Sequence, residues 1–300
     1  MSAIELGASL YVPALKAAAG QLAYGQMPGL RSIVICLEDS IRDDQVSQAL
    51  GDLRQLLLQF ATRRPAIKVY VRPRDIGMLT QVGAFHGIDL IDGFVLPKVT
   101  TSSLPLWLSA VMHDDHKIMP TIEGEEAFDR SALSRLCDQL RPYIDRVTAV
   151  RIGGNDILGL LGIRRSRVRS AYEGPLGNVI RDIAGTFIPN GFNVAAPVFE
   201  HYAALDILRQ EVEQDIEHGL LTKSAIHPSQ IDIIQQVYRP TGLEMSEARM
   251  ILDAATPAVF GSNGSMCEPA THARWAHSII NRARAHGVRD QVRVSDVKVA

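Results

Sequence analysis

KIMPTIE (residues 117–123) and VTAVRIGGND (residues 147–156) are two short, mostly apolar runs that each end in an acidic residue. Residues 125–140, which lie between them, carry apolar side chains at helical spacing, so the order is strand, helix, strand. Strands joined by a helical crossover are typical of a parallel sheet, and continuously apolar strands are typical of burial on both faces. The two runs therefore predict an α/β fold.

The same unit recurs along most of the chain. Helical spacing also covers residues 43–60, 102–112 and 174–189. Eight units within about 225 residues favour a closed (β/α)8 TIM barrel, although a doubly wound open sheet would alternate strands and helices in the same way. The eight predicted strands are residues 9–13, 32–38, 68–73, 93–98, 117–123, 147–154, 192–198 and 223–227.

The pattern changes after the eighth strand. Ser246 is expected to cap the start of one helix, and Pro269 to begin another that ends at Gly287. We therefore expect a barrel over residues 1–240 and a C-terminal helical extension over residues 241–300, which we expect to contact a neighbouring subunit.

The composition is that of a globular protein that handles small molecules. Of the 300 residues, 46% are hydrophobic, and 31 Lys and Arg nearly balance 33 Asp and Glu. This balance argues against nucleic acid or an anionic membrane as a partner. Three widely spaced cysteines, no secretory leader pattern and no apolar run of about 18 residues favour a reducing compartment without a membrane span. We expect the protein in the cytoplasm.

Charged residues follow the predicted strands. In a TIM barrel the C-terminal ends of all strands open on one face, so residues far apart in sequence gather around one pocket. We expect acids and cations to alternate around this rim, since the strand ends carry Glu38 and Asp39, then Arg72, Lys98, Glu123 and Asp156.

Seven short segments, taken in order, resemble the HpcH/HpaI aldolase and citrate lyase beta-subunit family across residues 9–285. The resemblance implies a TIM barrel, a Mg²⁺ ion and cleavage of 3-hydroxyacyl thioesters such as citryl, malyl or citramalyl groups, carried by coenzyme A or an acyl carrier protein. The segments are YVP (11–13), LEDSI (37–41), VR (71–72), LPKV (96–99), IE (122–123), GND (154–156) and KSAIHPSQ (223–230).

Glu123 and Asp156 are the candidate metal ligands. Consecutive barrel strands can aim two carboxylates at one point and leave positions for water and substrate, as Mg²⁺ prefers, and Mn²⁺ accepts the same oxygen ligands. The resemblance implies that these positions bind the metal. The alternative is that both acids are simply exposed at the starts of loops.

Arg72 is the candidate substrate clamp, because a guanidinium can hold a carboxylate by two parallel hydrogen bonds. Glu38 is an alternative partner for Arg72, and such a pair could also orient the clamp. Lys98 is expected either to anchor Glu38 and Asp39 or to approach the substrate. We class these four residues as catalytic candidates.

The loop after the sixth strand supplies further binding candidates. Gly154 and Asn155 precede Asp156 and are expected to contact the substrate. Arg164 and Arg165 belong to a basic run that is either a solvated loop or a binding site for the phosphates of coenzyme A.

Glu268 is the candidate acid or base. The resemblance implies that an Asp in a Gly-Ser-Met-Ile-Asp-like stretch of a neighbouring subunit moves a proton, and this chain has GSMCE (264–268) at that place. We therefore expect Glu268 to be catalytic and the protein to be a cyclic homo-oligomer, a trimer, with a composite active site.

The chain departs from the family at several acids. Cys36 stands where the family often has Asp, Asn155 where it has Glu, and residues 195–198 lack a common Asp. Three functions therefore remain open: a thioester-dependent carbon–carbon lyase, a malyl-type thioester hydrolase or synthase, and a non-catalytic dicarboxylate-binding subunit.

Overall fold

The computed structural model describes residues 3–15 and 18–289. The chain divides into two compact units, residues 1–234 and residues 235–300. The division falls after Ile234, somewhat earlier than the boundary expected at residue 240.

Eight parallel strands form the first unit. They pair in chain order, and the first pairs with the eighth, with Leu10 opposite Ala225, so the sheet closes into a barrel. The predicted TIM barrel is confirmed. The strands are β1 (Ala8–Pro13), β2 (Ser32–Cys36), β3 (Lys68–Arg72), β4 (Gly93–Leu96), β5 (Lys117–Ile122), β6 (Val150–Ile152), β7 (Val194–Ala196) and β8 (Thr222–Ala225).

Helices connect these strands, and one more helix follows the eighth strand. The longest in this unit is predicted by its spacing: its buried residues, among them Ala49, Leu53, Leu57 and Phe60, recur every three or four positions and so form one face. The helices are α1 (Ala18–Ala23), α2 (Val46–Thr62), α3 (Ile76–Gly83), α4 (Leu104–Ala110), α5 (Arg130–Leu140), α6 (Gly154–Leu160), α7 (Pro175–Phe187), α8 (Leu205–Glu217) and α9 (Ser229–Tyr238).

The inside of the barrel changes from apolar to polar along its axis. Tyr70 and Met119 belong to a buried cluster with Leu6, Val34 and Val95. Two residues further along the same strands, Arg72 and Thr121 border a pocket. Because side chains alternate between the two faces of a strand, residues two apart point the same way. The polar layer therefore lies toward the C-terminal ends of the strands.

The second unit contains α10 (Gly242–Leu252), the antiparallel hairpin β9 (Phe260–Ser262) and β10 (Ser265–Cys267), and α11 (Pro269–His286). Its buried residues include Met245, Ile251, Cys267, Ala276 and Ile279. The helical appendage is confirmed, and α11 has the expected ends, with Gly287 following at φ 83°. Residues 290–300 of the predicted extension lie outside the described residues.

The start of α10 differs from the prediction. Thr241 caps this helix, since its hydroxyl accepts from the Glu244 backbone N–H and the Glu244 carboxylate accepts from the Thr241 backbone N–H. Ser246 is an exposed residue inside the helix. The sequence T-x-x-E at 241–244 is a capping box, so the prediction of Ser246 as the cap is wrong. None of the helices in the described ranges is long and apolar enough to cross a membrane.

Candidate active site

A pocket of about 510 Å³ opens at the C-terminal ends of the barrel strands. Its walls come from elements far apart in sequence, including β1, β3, β5, β6 and β8. Six of the predicted site residues border it, namely Asp39, Arg72, Glu123, Gly154, Asn155 and Asp156. The barrel thus brings together the candidate metal ligands and the candidate clamp.

Glu123 follows β5 and is 3% exposed. Its Oε1 accepts from the Lys98 backbone N–H at 2.7 Å and from Arg72 Nη2 at 3.3 Å. Lys98 has a left-handed backbone with φ 50°, a conformation uncommon outside glycine. Burial raises the pKa of Glu123 to about 7, with the charge of Asp156 adding to the rise and that of Arg72 opposing it.

Asp156 lies in the first turn of α6, together with Gly154 and Asn155, rather than at the strand end and in the loop where the sequence placed them. Burial raises the pKa of Asp156, and the nearby charge of Asp39 raises it further. Asp156 thus destabilises the ionised form of Glu123, and Asp39 that of Asp156, and a bound cation would relieve this repulsion.

Gly153 makes room for the Glu123 side chain. A Cβ at residue 153 would lie 2.1 Å from Glu123 Oε2, and one at Gly154 would lie 2.9 Å from Pro197 Cβ. Both distances are shorter than van der Waals contact. The two glycines are therefore required by the close approach of β5 and the loop after β7, and not by backbone conformation, since neither has a positive φ.

The donor set fits Mg²⁺ or Mn²⁺. In the described part of the chain no group of three or more His, Cys, Asp and Glu side chains could hold a metal, so a closed zinc-type site is not formed there. Mg²⁺ is commonly held by one or two carboxylates and completes its shell with water and substrate oxygens. Glu123 and Asp156 provide that arrangement.

Arg72 lies between two carboxylates. Its Nη2 is 2.5 Å from Glu38 Oε2 and 3.3 Å from Glu123 Oε1. Lys98 Nζ is 3.0 Å from Glu38 Oε1 and 3.5 Å from Asp39 Oδ1. Glu38 is therefore a partner of Arg72, which was the alternative to a carboxylate of the substrate. The pair also orients Arg72, whose side chain still borders the pocket.

The comparisons with known proteins agree with this architecture. The family model described as C–C bond lyase of the TIM-barrel fold matches residues 1–288. The chain belongs to this family. The resemblance to HpcH/HpaI aldolases and citrate lyase beta subunits is thereby confirmed.

Several relatives match this C–C bond lyase family member over most of its length. A (3S)-malyl-CoA thioesterase of Cereibacter sphaeroides is 26% identical over 241 residues, which cover 80% of this chain and 79% of the relative. A citrate lyase of Burkholderia xenovorans has a TM-score of 0.76 at 18% identity, covering 96% of this chain and 94% of that chain. The protein CitE of Mycobacterium tuberculosis, solved with magnesium, acetoacetate and coenzyme A, has a TM-score of 0.69 at 19% identity, covering 93% and 98%. The two solved structures share the fold.

The two arginines expected to bind coenzyme A, Arg164 and Arg165, differ in burial in this family member. Arg165 is buried, donates to the Val198 backbone oxygen at 2.5 Å and pairs with Glu211. Its guanidinium is enclosed by protein, which corrects the prediction that Arg165 contacts phosphates. Arg164 is exposed and lies 3.3 Å from Glu200, so it remains a candidate.

Glu268 lies in the second unit, immediately before α11 of this C–C bond lyase family member. Its carboxylate accepts from Thr271 Oγ1 at 3.2 Å, and its backbone N–H donates to His272 Nδ1 at 3.0 Å. The side chain is half-buried.

Several pocket residues were missed by sequence reasoning. Tyr11, Thr121, Arg151 and Ser224 all border the pocket of the family member. Arg151 interrupts the apolar run of β6 and is the one visible signal, because a cation in a strand buried on both faces must point into the barrel or be paired behind it.

Proposed function

We propose that the protein is a Mg²⁺-dependent carbon–carbon lyase. Its substrate is a 3-hydroxyacyl thioester of the citryl, malyl or citramalyl type, which it cleaves to, or forms from, a keto acid and an acyl thioester. The observation that carries this proposal is the pair of carboxylates, the buried Glu123 and the half-buried Asp156, beside Arg72 in one pocket.

The chain's own residues have distinct parts in this reaction. Bound Mg²⁺ supplies a Lewis acid for the oxygen on which negative charge develops. Arg72 holds the keto-acid carboxylate through the edge of its guanidinium that does not face Glu38. Glu38 and Lys98 keep Arg72 and Glu123 in place, as their contacts indicate.

The start of α6 and the exposed acid shape the rest of the site. Gly154 and Asn155 form the wall against which the substrate lies, and Gly154 keeps that wall open beside Pro197. Asp39 binds Lys98 at the rim and fixes the position of its ammonium group.

Glu268 is proposed to donate and accept the proton. It would reach the active site of a neighbouring subunit in a homotrimer. A carboxylate that alternates between acid and base forms suits proton transfer to or from the acyl carbon. This role rests on the position of GSMCE in the sequence.

The thioester carrier is proposed to be coenzyme A or an acyl carrier protein, with Arg164 near its phosphates. Support comes from the coenzyme A bound in the M. tuberculosis CitE structure and from the exposure of Arg164. The cytoplasm is the proposed compartment, because all three cysteines are free thiols.

A second candidate is hydrolysis of a malyl-type thioester. It is favoured by the relative named (3S)-malyl-CoA thioesterase, which matches 80% of this chain. A hydrolase would use the same metal ligands to direct water at the thioester carbonyl.

The test is a screen of 3-hydroxyacyl thioesters with added Mg²⁺ and mass-spectrometric detection of both products. A lyase releases a keto acid and a shortened acyl thioester, whereas a hydrolase releases a free thiol and an intact hydroxy acid. Omission of Mg²⁺ should abolish either reaction. Products that form equally without any divalent metal would contradict the proposal.

A further inference from the structure

The floor of the pocket contains a buried arginine that the proposed reaction has not used. Arg151 lies in β6 and is 1% exposed, yet its side chain borders the pocket. Its Nη2 donates to Ser224 Oγ at 2.7 Å, and its Nη1 lies 3.2 Å from Met119 Sδ. Because a guanidinium stays protonated in proteins, a full positive charge is held at this depth.

No acidic side chain within residues 3–15 and 18–289 forms an ion pair with Arg151, in contrast to Arg72, which lies between Glu38 and Glu123. The ring of Tyr11 has its centroid 5.3 Å from Arg151 Cζ. Tyr70 is not the counter-ion, since burial raises its pKa to about 12 and keeps the phenol neutral. A buried charge without a partner is strongly unfavourable unless an anion meets it.

Two polar atoms beside this charge also lack a hydrogen-bond partner in the described part of the chain. Among the described residues, Arg151 Nε and Thr121 Oγ1 are buried and have no hydrogen-bond partner. Ser224 Oγ accepts from Arg151, so its own O–H is left to donate. Thr121 is opposite Arg151 in the β5–β6 register, which places both on adjoining strands at one level. Arg151 Nε and the hydroxyls of Thr121 and Ser224 are thus three donors around one buried guanidinium, and the two oxygens of a carboxylate can accept from them.

We propose that Arg151, with Thr121 and Ser224, binds a second carboxylate of the substrate at the floor of the pocket. The keto-acid half would then be dicarboxylic: one carboxylate meets Arg72 and the metal ligands, and the other reaches Arg151. A keto acid that ends in a methyl group would leave the buried guanidinium unpaired. That the bound anion belongs to the substrate of the reaction rests on the proposed function. That the site binds a carboxylate does not.

The experiment compares two hydroxy acids that differ only at the distal group. (S)-Malate carries the second carboxylate, and (S)-2-hydroxybutanoate has a methyl group in its place. Binding of each is measured by calorimetry with Mg²⁺ present. We expect the unmodified protein to bind malate roughly tenfold or more tightly than 2-hydroxybutanoate, because hydrogen bonds to charged groups are worth about that factor.

Arg151→Met keeps the length of the side chain and removes its charge. We expect it to abolish the preference for malate while the affinity for 2-hydroxybutanoate stays within about twofold. Arg151→Lys should retain part of the preference. Thr121→Val and Ser224→Ala should each reduce the preference by a smaller factor, and they test the site if Arg151→Met does not fold.

The outcomes separate this assignment from the proposed reaction. Equal loss of both affinities in Arg151→Met, or an unchanged preference for malate, would overturn the role of Arg151. A different result would be that the unmodified protein cleaves no thioester but prefers malate, and that Arg151→Met loses this preference. It would contradict the lyase and leave the anion site standing.

Discussion

Gly153 determines where the Glu123 carboxylate can lie. Gly153→Ala should weaken Mg²⁺ binding by roughly 10–100-fold, because the new Cβ would lie 2.1 Å from Glu123 Oε2 and displace a proposed ligand. Isothermal titration with Mg²⁺ measures this. Gly159→Ala lies within α6, the helix that follows Gly153, with open space around it; it is the matched control and should bind Mg²⁺ as before. Unchanged Mg²⁺ affinity in Gly153→Ala would contradict the placement.

The proposed ligands themselves give a larger effect. Glu123→Ala and Asp156→Ala should each reduce Mg²⁺ affinity by more than ~100-fold and abolish metal dependence of turnover. The reason is that these two carboxylates are the only protein ligands proposed for the metal. Glu125→Ala removes an exposed acid of the same loop and is the control. If both ligand variants bind Mg²⁺ normally in calorimetry, the metal lies elsewhere.

At this scale the sequence predicts residues whose position follows from strand ends. Glu123, Asp156 and Arg72 were found because polar residues after apolar runs collect on one face of a barrel. Arg165 was misplaced because its partner Glu211 is 46 residues away and its burial depends on how the loop after α6 packs against α8 and the loop after β7. Arg151 was missed because the direction of a side chain in a three-residue strand depends on the barrel's register, which periodicity does not give.

The first turn of α10 offers a direct comparison between two possible caps. Thr241→Ala should lower the free energy of unfolding by ~1 kcal/mol, because it removes the hydroxyl that accepts from the Glu244 backbone N–H. Ser246→Ala should change it little, since an exposed serine inside a helix gains from alanine's propensity. Chemical denaturation of both variants measures the difference. A larger loss in Ser246→Ala would restore Ser246 as the cap.

The elements show what apolar spacing can and cannot locate. Long helices such as α2 and α5 were found within a few residues because their buried faces repeat. The short α1, α3 and α6 were not assigned, since helices of six to eight residues show only about two turns of a repeat. The equally short α4 was found within the longer predicted stretch 102–112.

For the whole molecule, the proposed trimer predicts complementation between defective chains. Glu268→Gln should preserve Mg²⁺ and substrate binding but lower turnover by ~100-fold or more, because an amide cannot accept the proton. Mixing Glu268→Gln chains with Asp156→Ala chains should restore part of the activity, since some interfaces would combine an intact metal site with an intact acid. Turnover of the refolded mixture measures this.

Two controls accompany the mixture. Each variant refolded alone should remain inactive, and light scattering should report a trimer for both. A monomer in solution, or mixed oligomers as inactive as their parents, would show that Glu268 does not act across an interface.

The pairing of β1 with β8 has a consequence for how the chain is made. Thr222 Oγ1 donates to the Gly7 carbonyl, and 215 residues separate the two. Because translation proceeds at about 5–20 residues per second, β1 is made some 10–40 s before β8, the strand that pairs with its second edge. Throughout that interval the growing sheet has two open edges whose backbone groups can pair with another chain. The nascent polypeptide, and not the finished ring, is therefore the form most exposed to aggregation.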